Sequence, residues 1–216
     1  MYSQVDFWSR NPSPVALAPY VYRETPILLP SGRSVMVAGL AKLDASLSVE
    51  ETCKYLKDRG IQVIFGMHIR QSYLDVSASQ ELVYVPLHVP DFTAPGVQVY
   101  DQIFEALMSQ ARAGKKIAIH CHGGLGRTGT VLAALKLREM SMQEGFHWVE
   151  DDLSYYIPEP AASCSENVFK AIEFIRSIPG SEYAIEDESQ IASLIEYEAI
   201  LKQRHCALSF ESCIPS

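Results

Sequence analysis

The chain has 216 residues, of which 48% are hydrophobic, and a formal net charge of −8 at pH 7. A chain of this length and hydrophobic content is able to form one compact domain with a full core. The excess of acidic residues disfavours nucleic-acid and anionic-membrane partners. No stretch is long and apolar enough to span a bilayer, no signal-peptide pattern is present, and the five cysteines lack CxxC spacing. We therefore expect a cytoplasmic protein with reduced thiols, no zinc site and no stable membrane association.

Strands and helices are predicted to alternate along most of the chain. Residues 1–32 contain five prolines and are predicted to be an extended segment on the surface of a domain at 33–205, with a tail at 206–216. Strands are predicted at 35–39, 61–66, 82–87 and 117–120, and helices at 49–59, 96–113, 128–140, 167–177 and 188–204. This order predicts an α/β fold with a central, mostly parallel sheet flanked by helices.

The third predicted strand is followed by a loop that contains two prolines and Asp91. Asp91 precedes Cys121 by 30 residues, a separation at which a strand–helix–strand unit brings two loops to one edge of a sheet. A carboxylic acid at that edge is able to protonate a leaving group. The alternative is a turn or helix-cap role before the helix at 96–113.

Residues 120–129, with the sequence HCHGGLGRTG, join a short apolar strand to an amphipathic helix. The unpaired amides at such a junction and the dipole of the helix bind an anion and favour the thiolate form of Cys121. Arg127 offers a planar pair of donors to two phosphoryl oxygens, and the Thr128 hydroxyl is able to donate to the sulfur. The anion cradle is predicted to consist of His122, Gly123, Gly124, Leu125, Gly126 and Arg127. The alternative is a buried core cysteine beside a glycine turn.

The loop resembles the HCxxGxxR[ST] signature of the cysteine-dependent protein phosphatases, and its CxGGxGR string is similar to the dual-specificity form of the kinase-associated phosphatase type. The resemblance covers about residues 35–202. It implies a protein-tyrosine-phosphatase-like fold and hydrolysis of phosphate monoesters through a phosphocysteine, without a metal or cofactor. The implied partner is a phosphorylated protein, with phosphotyrosine and also phosphoserine or phosphothreonine as the group removed.

Two further segments bear on this resemblance. Residues 184–190, AIEDESQ, resemble the AIETxxQ stretch before the last helix of many dual-specificity phosphatases. In that interpretation Gln190 positions the water that hydrolyses the phosphocysteine, whereas an ordinary acidic first helical turn explains the same residues equally well. The family lacks the aromatic and acidic insertion at about 141–165, which either forms a lid or docking surface or packs onto the domain.

Three classes of function stay open: an active protein phosphatase, a phosphoprotein-binding module without turnover, and a sulfurtransferase with a similar anion-binding loop. Asp91, Arg127 and Thr128 together favour the first, because a binding module is expected to lose one of them and a sulfurtransferase does not need Asp91. The loop lacks the lysines often found in enzymes for inositol phosphates. This favours phosphoprotein over phosphoinositide as the substrate, and the oligomeric state stays open.

Overall fold

A computed structural model describes residues 22–143 and 165–211 of the protein, with side chains in the last helix described as far as His205. Over these residues the strands are β1 (Tyr22–Leu28), β2 (Ser34–Leu40), β3 (Ile61–Gly66), β4 (Val83–Pro86) and β5 (Lys116–His120). The helices are α1 (Val49–Asp58), α2 (Gln71–Ser79), α3 (Val97–Arg112), α4 (Gly126–Ser141), α5 (Glu166–Arg176) and α6 (Glu188–Glu211). Among them, no helix is long and apolar enough to cross a membrane.

The five strands form one sheet in the order β1-β2-β5-β3-β4. The pairs β2–β5, β5–β3 and β3–β4 are parallel, and β1 pairs with β2 in the antiparallel sense. The mostly parallel sheet predicted from the sequence is thus confirmed. His120, the last residue of β5, is in register with Leu40 of β2 and Gly66 of β3, so three strands end at the same edge. The loop at Cys121 starts from the centre of that edge.

Helices cover both faces of the sheet because the strand residues are buried on both sides. The helices α1 and α2 pack against one face, where Ala118 of β5 is buried. The helices α3 to α6 pack against the other face, where Ile117 and Ile119 are buried. α4 is central to this second layer, since it contacts β1, β2 and β5 as well as α3, α5 and α6. Its small residues Ala133 and Ala134 are fully buried and allow this close approach on several sides.

The domain begins earlier than residue 33, because residues 22–28 form the edge strand β1. The sequence pattern hides this strand for two reasons. Its inward positions include the polar residues Arg23 and Thr25, and Pro26 interrupts it. Pro26 is tolerated because β1 lies at the edge of the sheet. Residues 1–21 lie outside the described part of the chain.

One helix was not predicted, and two element boundaries differ from the prediction by two residues or more. α2 was not predicted, because its buried face contains a serine, Ser77, one turn after Tyr73. α4 begins at Gly126, two residues earlier than expected, so Arg127 belongs to its first turn. α6 continues to Glu211, into the segment 206–216 predicted as a tail. Most of the insertion predicted at 141–165, namely residues 144–164, is outside the described residues.

Candidate active site

Cys121 lies directly after β5, and its side chain is only 3% exposed. The amide of Gly124 donates a hydrogen bond to its sulfur at 3.2 Å. The loop is fastened to the end of β2, because the amide of Lys42 donates to the carbonyl of His122 at 2.9 Å. Gly124 has a φ of +83°, and a Cβ there would come within 2.7 Å of the amide nitrogen of Ala41. The close turn around the sulfur therefore requires a glycine at this position.

The guanidinium of Arg127 ties three segments together at the mouth of the loop. Its Nη1 donates to the carbonyls of Met67 at 2.9 Å and Val89 at 2.8 Å, which fixes the plane of the guanidinium. Its Nη2 donates to a carboxylate oxygen of Asp91 in a direct ion pair. The Asp91 side chain is 52% exposed, whereas Arg127 is buried. Asp91 is thus within reach of the cradle and is held by the same Nη2 that a phosphoryl oxygen would use.

One pocket brings together the predicted nucleophile, the arginine, the acid, two of the cradle glycines and Gln190. The residues that line it are Asp91, Phe92, Cys121, Gly123, Gly126, Arg127, Glu186 and Gln190. They come from the loop after β4, from the loop after β5, from the first turn of α4, from the loop before α6 and from the start of α6. A small polar pocket with a cysteine, backbone amides and one buried cation is suited to a tetrahedral anion.

Four of the predicted site residues do not line this pocket: Thr128, Leu125, His122 and Gly124, although the amide of Gly124 donates to the sulfur. The Thr128 hydroxyl donates to the carbonyl of Leu40 at 3.4 Å rather than to the cysteine sulfur, because its position on α4 faces β2. The side chain of Leu125 is not involved, although its carbonyl accepts from the amide of Gly129 at 2.9 Å. The ring of His122 is exposed and packs edge-on against His68, with the ring centroids 4.8 Å apart.

Residues 38–141 match the family described as "Polymorphic toxin system, DSP-PTPase phosphatase". The matched stretch contains the loop after β4, the strand β5, the cysteine loop and all of α4. The predicted resemblance to the cysteine-dependent, dual-specificity-like phosphatases is thus confirmed over these residues.

Individual relatives match shorter parts of their own length. The chain is 28% identical over 153 residues to Paladin from Xenopus tropicalis. This match covers 69% of the chain and 16% of Paladin. The chain is also 29% identical over 102 residues to Cyclin-dependent kinase inhibitor 3 from Rattus norvegicus. That match covers 44% of the chain and 48% of the relative. The match therefore spans less than half of either relative.

Solved structures share the fold over nearly their whole length. Kinase associated phosphatase has a TM-score of 0.58 at 20% identity, covering 84% of this chain and 97% of that structure. PTPMT1 has a TM-score of 0.57 at 17% identity, and the match covers 79% of this chain and 94% of that structure. At these identities the likeness establishes a protein-tyrosine-phosphatase-like fold.

Gln190 in the first turn of α6 is buried against the cradle of the phosphatase. Its side-chain Oε1 accepts from the backbone amide of Glu186 at 2.7 Å, and its backbone amide donates to the carboxylate of Asp187 at 3.1 Å. Its Nε2 lies 2.7 Å from the place that a Cβ on Gly126 would occupy. The loop that carries these residues is held by Arg176, which donates to the carbonyls of residues 184 and 185. The side-chain amide of Gln190 is therefore fixed at the edge of the pocket.

Two lining residues were not predicted from the sequence. Phe92 is 88% exposed and has a φ of +55°, directly after the acid. An exposed aromatic residue beside a candidate acid in a proline-containing loop is a signal that could have found it. Glu186 lies within the stretch that resembles the family, but the sequence indicates for it only the role of one of several acids in a helical first turn. It reaches the pocket because the loop before α6 folds over Gly126.

A fully buried histidine supports the loop from behind. The Nδ1 of His120 lies 3.2 Å from the carbonyl of Cys121, and its Nε2 lies 2.8 Å from the hydroxyl of Tyr84. A carbonyl only accepts, so Nδ1–H donates to Cys121 and Nε2 accepts from the hydroxyl of Tyr84, which shares its one proton with the carbonyl of His68 at 3.2 Å. Burial lowers the pKa of His120 from 6.5 to about 4, so the imidazole is neutral at neutral pH. Its single tautomer fixes the backbone at the start of the loop.

The pKa of His120 predicts a loss of stability in mild acid. The unfolded chain binds a proton near pH 6.5 and the folded chain only near pH 4, so the free energy of unfolding falls as the pH decreases through that window. The full effect is on the order of 3 kcal/mol. In His120→Gln, denaturant unfolding between pH 7 and pH 4.5 is expected to give a smaller slope of unfolding free energy against pH. The exposed His88 provides the matched control, His88→Gln, and an unchanged slope in His120→Gln would contradict the assignment.

Proposed function

We propose that this phosphatase hydrolyses phosphate monoesters on phosphoproteins, at phosphotyrosine and also at phosphoserine or phosphothreonine, through a phosphocysteine intermediate. The observation that carries the proposal is the single pocket lined by Cys121, Arg127 and Asp91. A nucleophile, a charge clamp and an acid at one pocket are the three groups that transfer of a phosphoryl group to sulfur requires. Asp91 and Cys121 come from two loops that are far apart in sequence, which supports a functional rather than a local structural reason for their proximity.

In the first step the phosphoryl group of the substrate enters the cradle. Two of its oxygens bind the guanidinium of Arg127 and displace the carboxyl group of Asp91 from Nη2. The thiolate of Cys121 attacks phosphorus as the bond to the leaving oxygen breaks. Once released from Arg127, Asp91 takes up a proton from solvent and donates it to that oxygen. Substrate binding thus converts a partner of the arginine into the acid.

In the second step water replaces the sulfur. Asp91, now a carboxylate, accepts a proton from the attacking water as the bond between phosphorus and sulfur breaks. The departing thiolate accepts the hydrogen bond from the amide of Gly124, which lies 3.2 Å from the sulfur. We assign orientation of this water to the Nε2 group of Gln190, since its Oε1 is occupied by the Glu186 amide. Thr128 stays a candidate for stabilising the sulfur only if its hydroxyl leaves the Leu40 carbonyl.

The charge around the pocket supports a phosphorylated side chain as the substrate. Of its lining residues, only Arg127 carries a fixed positive charge, whereas Asp91 and Glu186 are both acidic. A headgroup with several phosphates would place a second anion near Glu186, which is unfavourable. The exposed ring of Phe92 offers an apolar surface at the mouth of the pocket, suited to the aromatic or aliphatic stem of a phosphorylated residue.

Hydrolysis of phosphoinositides is the second candidate function. On the rim of the cradle, His122 lies against His68, and the nearby Arg70 and Lys42 both approach Asp44. These cations and imidazoles are groups that a second phosphate on the substrate could bind. PTPMT1, a structural neighbour at 16% identity with a TM-score of 0.56, has been solved in complex with PI(5)P.

A panel of phosphate esters tests the proposed function. The full chain is assayed for phosphate release from a phosphotyrosine peptide, a phosphothreonine peptide, dispersed phosphoinositides and a nucleotide. We expect the highest kcat/KM on a phosphopeptide, because its single phosphoryl group fits a pocket with one buried cation. A higher kcat/KM on the phosphoinositides would favour the second candidate. Binding of phosphopeptide without release from any substrate would favour a binding module without turnover.

A further inference from the structure

Arg23 lies behind the cysteine loop, on the edge strand β1, and is only 4% exposed. Its Nη2 donates to the carbonyl of Gly124, a residue that follows it in sequence by 101 positions. Gly39 is opposite Arg23 in the β1–β2 register, and a Cβ there would be in ordinary contact with Nε, at 3.5 Å. The long side chain of Arg23 thus lies at an inward position of the sheet.

The guanidinium of Arg23 is incompletely paired. Its Nε and Nη1 are buried without a hydrogen-bond partner among the described residues. Within the same part of the chain, it has no carboxylate within ion-pair distance, whereas the other buried arginine, Arg127, is paired with Asp91. Burial of a cation without a counter-charge is strongly unfavourable. An anion close to Arg23 would therefore stabilise it.

The interior candidate for that anion is the sulfur of Cys121, because Arg23 and this sulfur both form hydrogen bonds with Gly124. Burial lowers the pKa of Arg23 to about 10, and the negative charges that oppose this shift are first Cys121 and then Glu182. Arg23 remains a cation at neutral pH. Glu182 is exposed on the loop before α6, where solvent screens it. The thiolate lies in the interior and is not screened in this way.

Gly124 connects the two groups. Its amide donates to the sulfur, and its carbonyl accepts from Arg23. A carbonyl held in place maintains the left-handed conformation of Gly124, with a φ of +83°, that directs the amide at the sulfur. Arg23 thus acts on Cys121 both through the backbone of Gly124 and through its own charge.

We propose that Arg23 is a positioning residue for the phosphatase reaction: a buried positive charge behind the loop that stabilises the thiolate of Cys121 and the anion bound above it. The inference rests on the thiolate that the proposed function assigns to Cys121. No group on β1 belongs to the signature of the loop, and Arg23 does not line the pocket.

The other charged groups around the sulfur come from several elements. Arg127 on α4 is held by Asp91, and Glu186 approaches from the loop before α6. His122 in the cysteine loop is exposed, and a charge on it would be screened by solvent. Arg23 therefore contributes a positive charge from behind the loop, in the interior, where the carboxylate that also acts on it, Glu182, is exposed.

The test measures the thiolate directly, without turnover. The rate of alkylation of Cys121 by iodoacetamide is followed against pH on the full chain, by mass spectrometry of the peptide that contains it. In Arg23→Met the pH midpoint of alkylation is expected to rise by about one unit. Arg23→Gln keeps a donor for the Gly124 carbonyl and removes the charge, so it is expected to shift the midpoint in the same direction. Arg23→Lys keeps the charge and is expected to restore most of the parent value.

Binding of orthovanadate supplies a second readout for the anion. Its protection of Cys121 against alkylation is expected to weaken about tenfold in Arg23→Met. Arg33→Met is the matched control, because Arg33 also donates to a backbone carbonyl, that of Ala111 at 3.0 Å, but far from the loop. This control is expected to leave both readouts unchanged.

Two outcomes would overturn the inference. One is a midpoint within about 0.3 unit of the parent in both Arg23→Met and Arg23→Gln. The other is a lower melting temperature of the Arg23 variants with an unchanged midpoint, which is the result of a purely structural role. If no phosphate ester is turned over but the midpoint shifts as expected, the proposed function fails and the role of Arg23 at the thiolate stands. If Arg23→Met does not fold, the comparison of Arg23→Gln with Arg23→Lys gives the same decision.

Discussion

Replacement of Cys121 by serine is expected to reduce phosphate release by about 10⁴-fold or more while binding of phosphopeptide is retained. A serine hydroxyl is not ionised near neutral pH and does not attack phosphorus without a base beside it. The cradle amides and the guanidinium of Arg127 are unchanged in this variant, because Arg127 is fixed by the carbonyls of Met67 and Val89. The measurement is kcat/KM on a phosphotyrosine peptide together with the Kd of the same peptide.

Cys53 provides the control for this variant. It is also buried, but on the opposite face of the sheet beside Ser77, with 3.6 Å between the two side-chain atoms. Cys53→Ser is expected to keep parental kinetics. Activity of Cys121→Ser within tenfold of the parent would remove Cys121 from the mechanism.

Replacement of Asp91 by asparagine is expected to slow hydrolysis of esters with poor leaving groups by about 10² to 10⁴. Asparagine still accepts a hydrogen bond from Arg127, so the ion pair is replaced by a neutral contact and the loop keeps its partner. It does not donate a proton to the leaving oxygen. For an ester whose leaving group departs without a proton, the kcat/KM of the variant is therefore expected to fall much less. The comparison uses kcat/KM, which reports the steps up to formation of the phosphocysteine.

Asp75→Asn is a suitable control, because Asp75 is an exposed acid on α2 that pairs with Gln71 at 2.8 Å. This variant is expected to hydrolyse both types of ester with parental kcat/KM. An equal loss of kcat/KM on both types in Asp91→Asn, or loss of folding, would favour the alternative role of Asp91 as a turn residue.

The sequence alone predicted the fold class and the core of the site, because the decisive residues are contiguous or follow periodic elements. A strand of five residues, a glycine-rich loop and an amphipathic helix specify their own geometry, so the position of Cys121 and Arg127 at a strand-to-helix junction was readable locally. The position of Asp91 at the same edge of the sheet was also predictable from the sequence, for a related reason. The strand before it and the helix after it each have a clear pattern, and parallel strands end at a common edge.

The tertiary structure alone decided which partners these residues have. The hydroxyl of Thr128 faces Leu40 instead of the sulfur because the register of α4 against β2 sets its direction. Glu186 joins the pocket because the loop before α6 folds over α4.

Arg23 is the clearest case of this difference. It is a polar residue at an inward position of an edge strand, so its burial contradicts the pattern by which a strand is recognised. Its contact with Gly124 spans 101 residues. Local periodicity determines which face of an element is buried, whereas a contact between distant elements depends on how whole layers pack. The sequence therefore determined the chemistry of the loop, and the packing of β1 against it decided what lies behind the nucleophile.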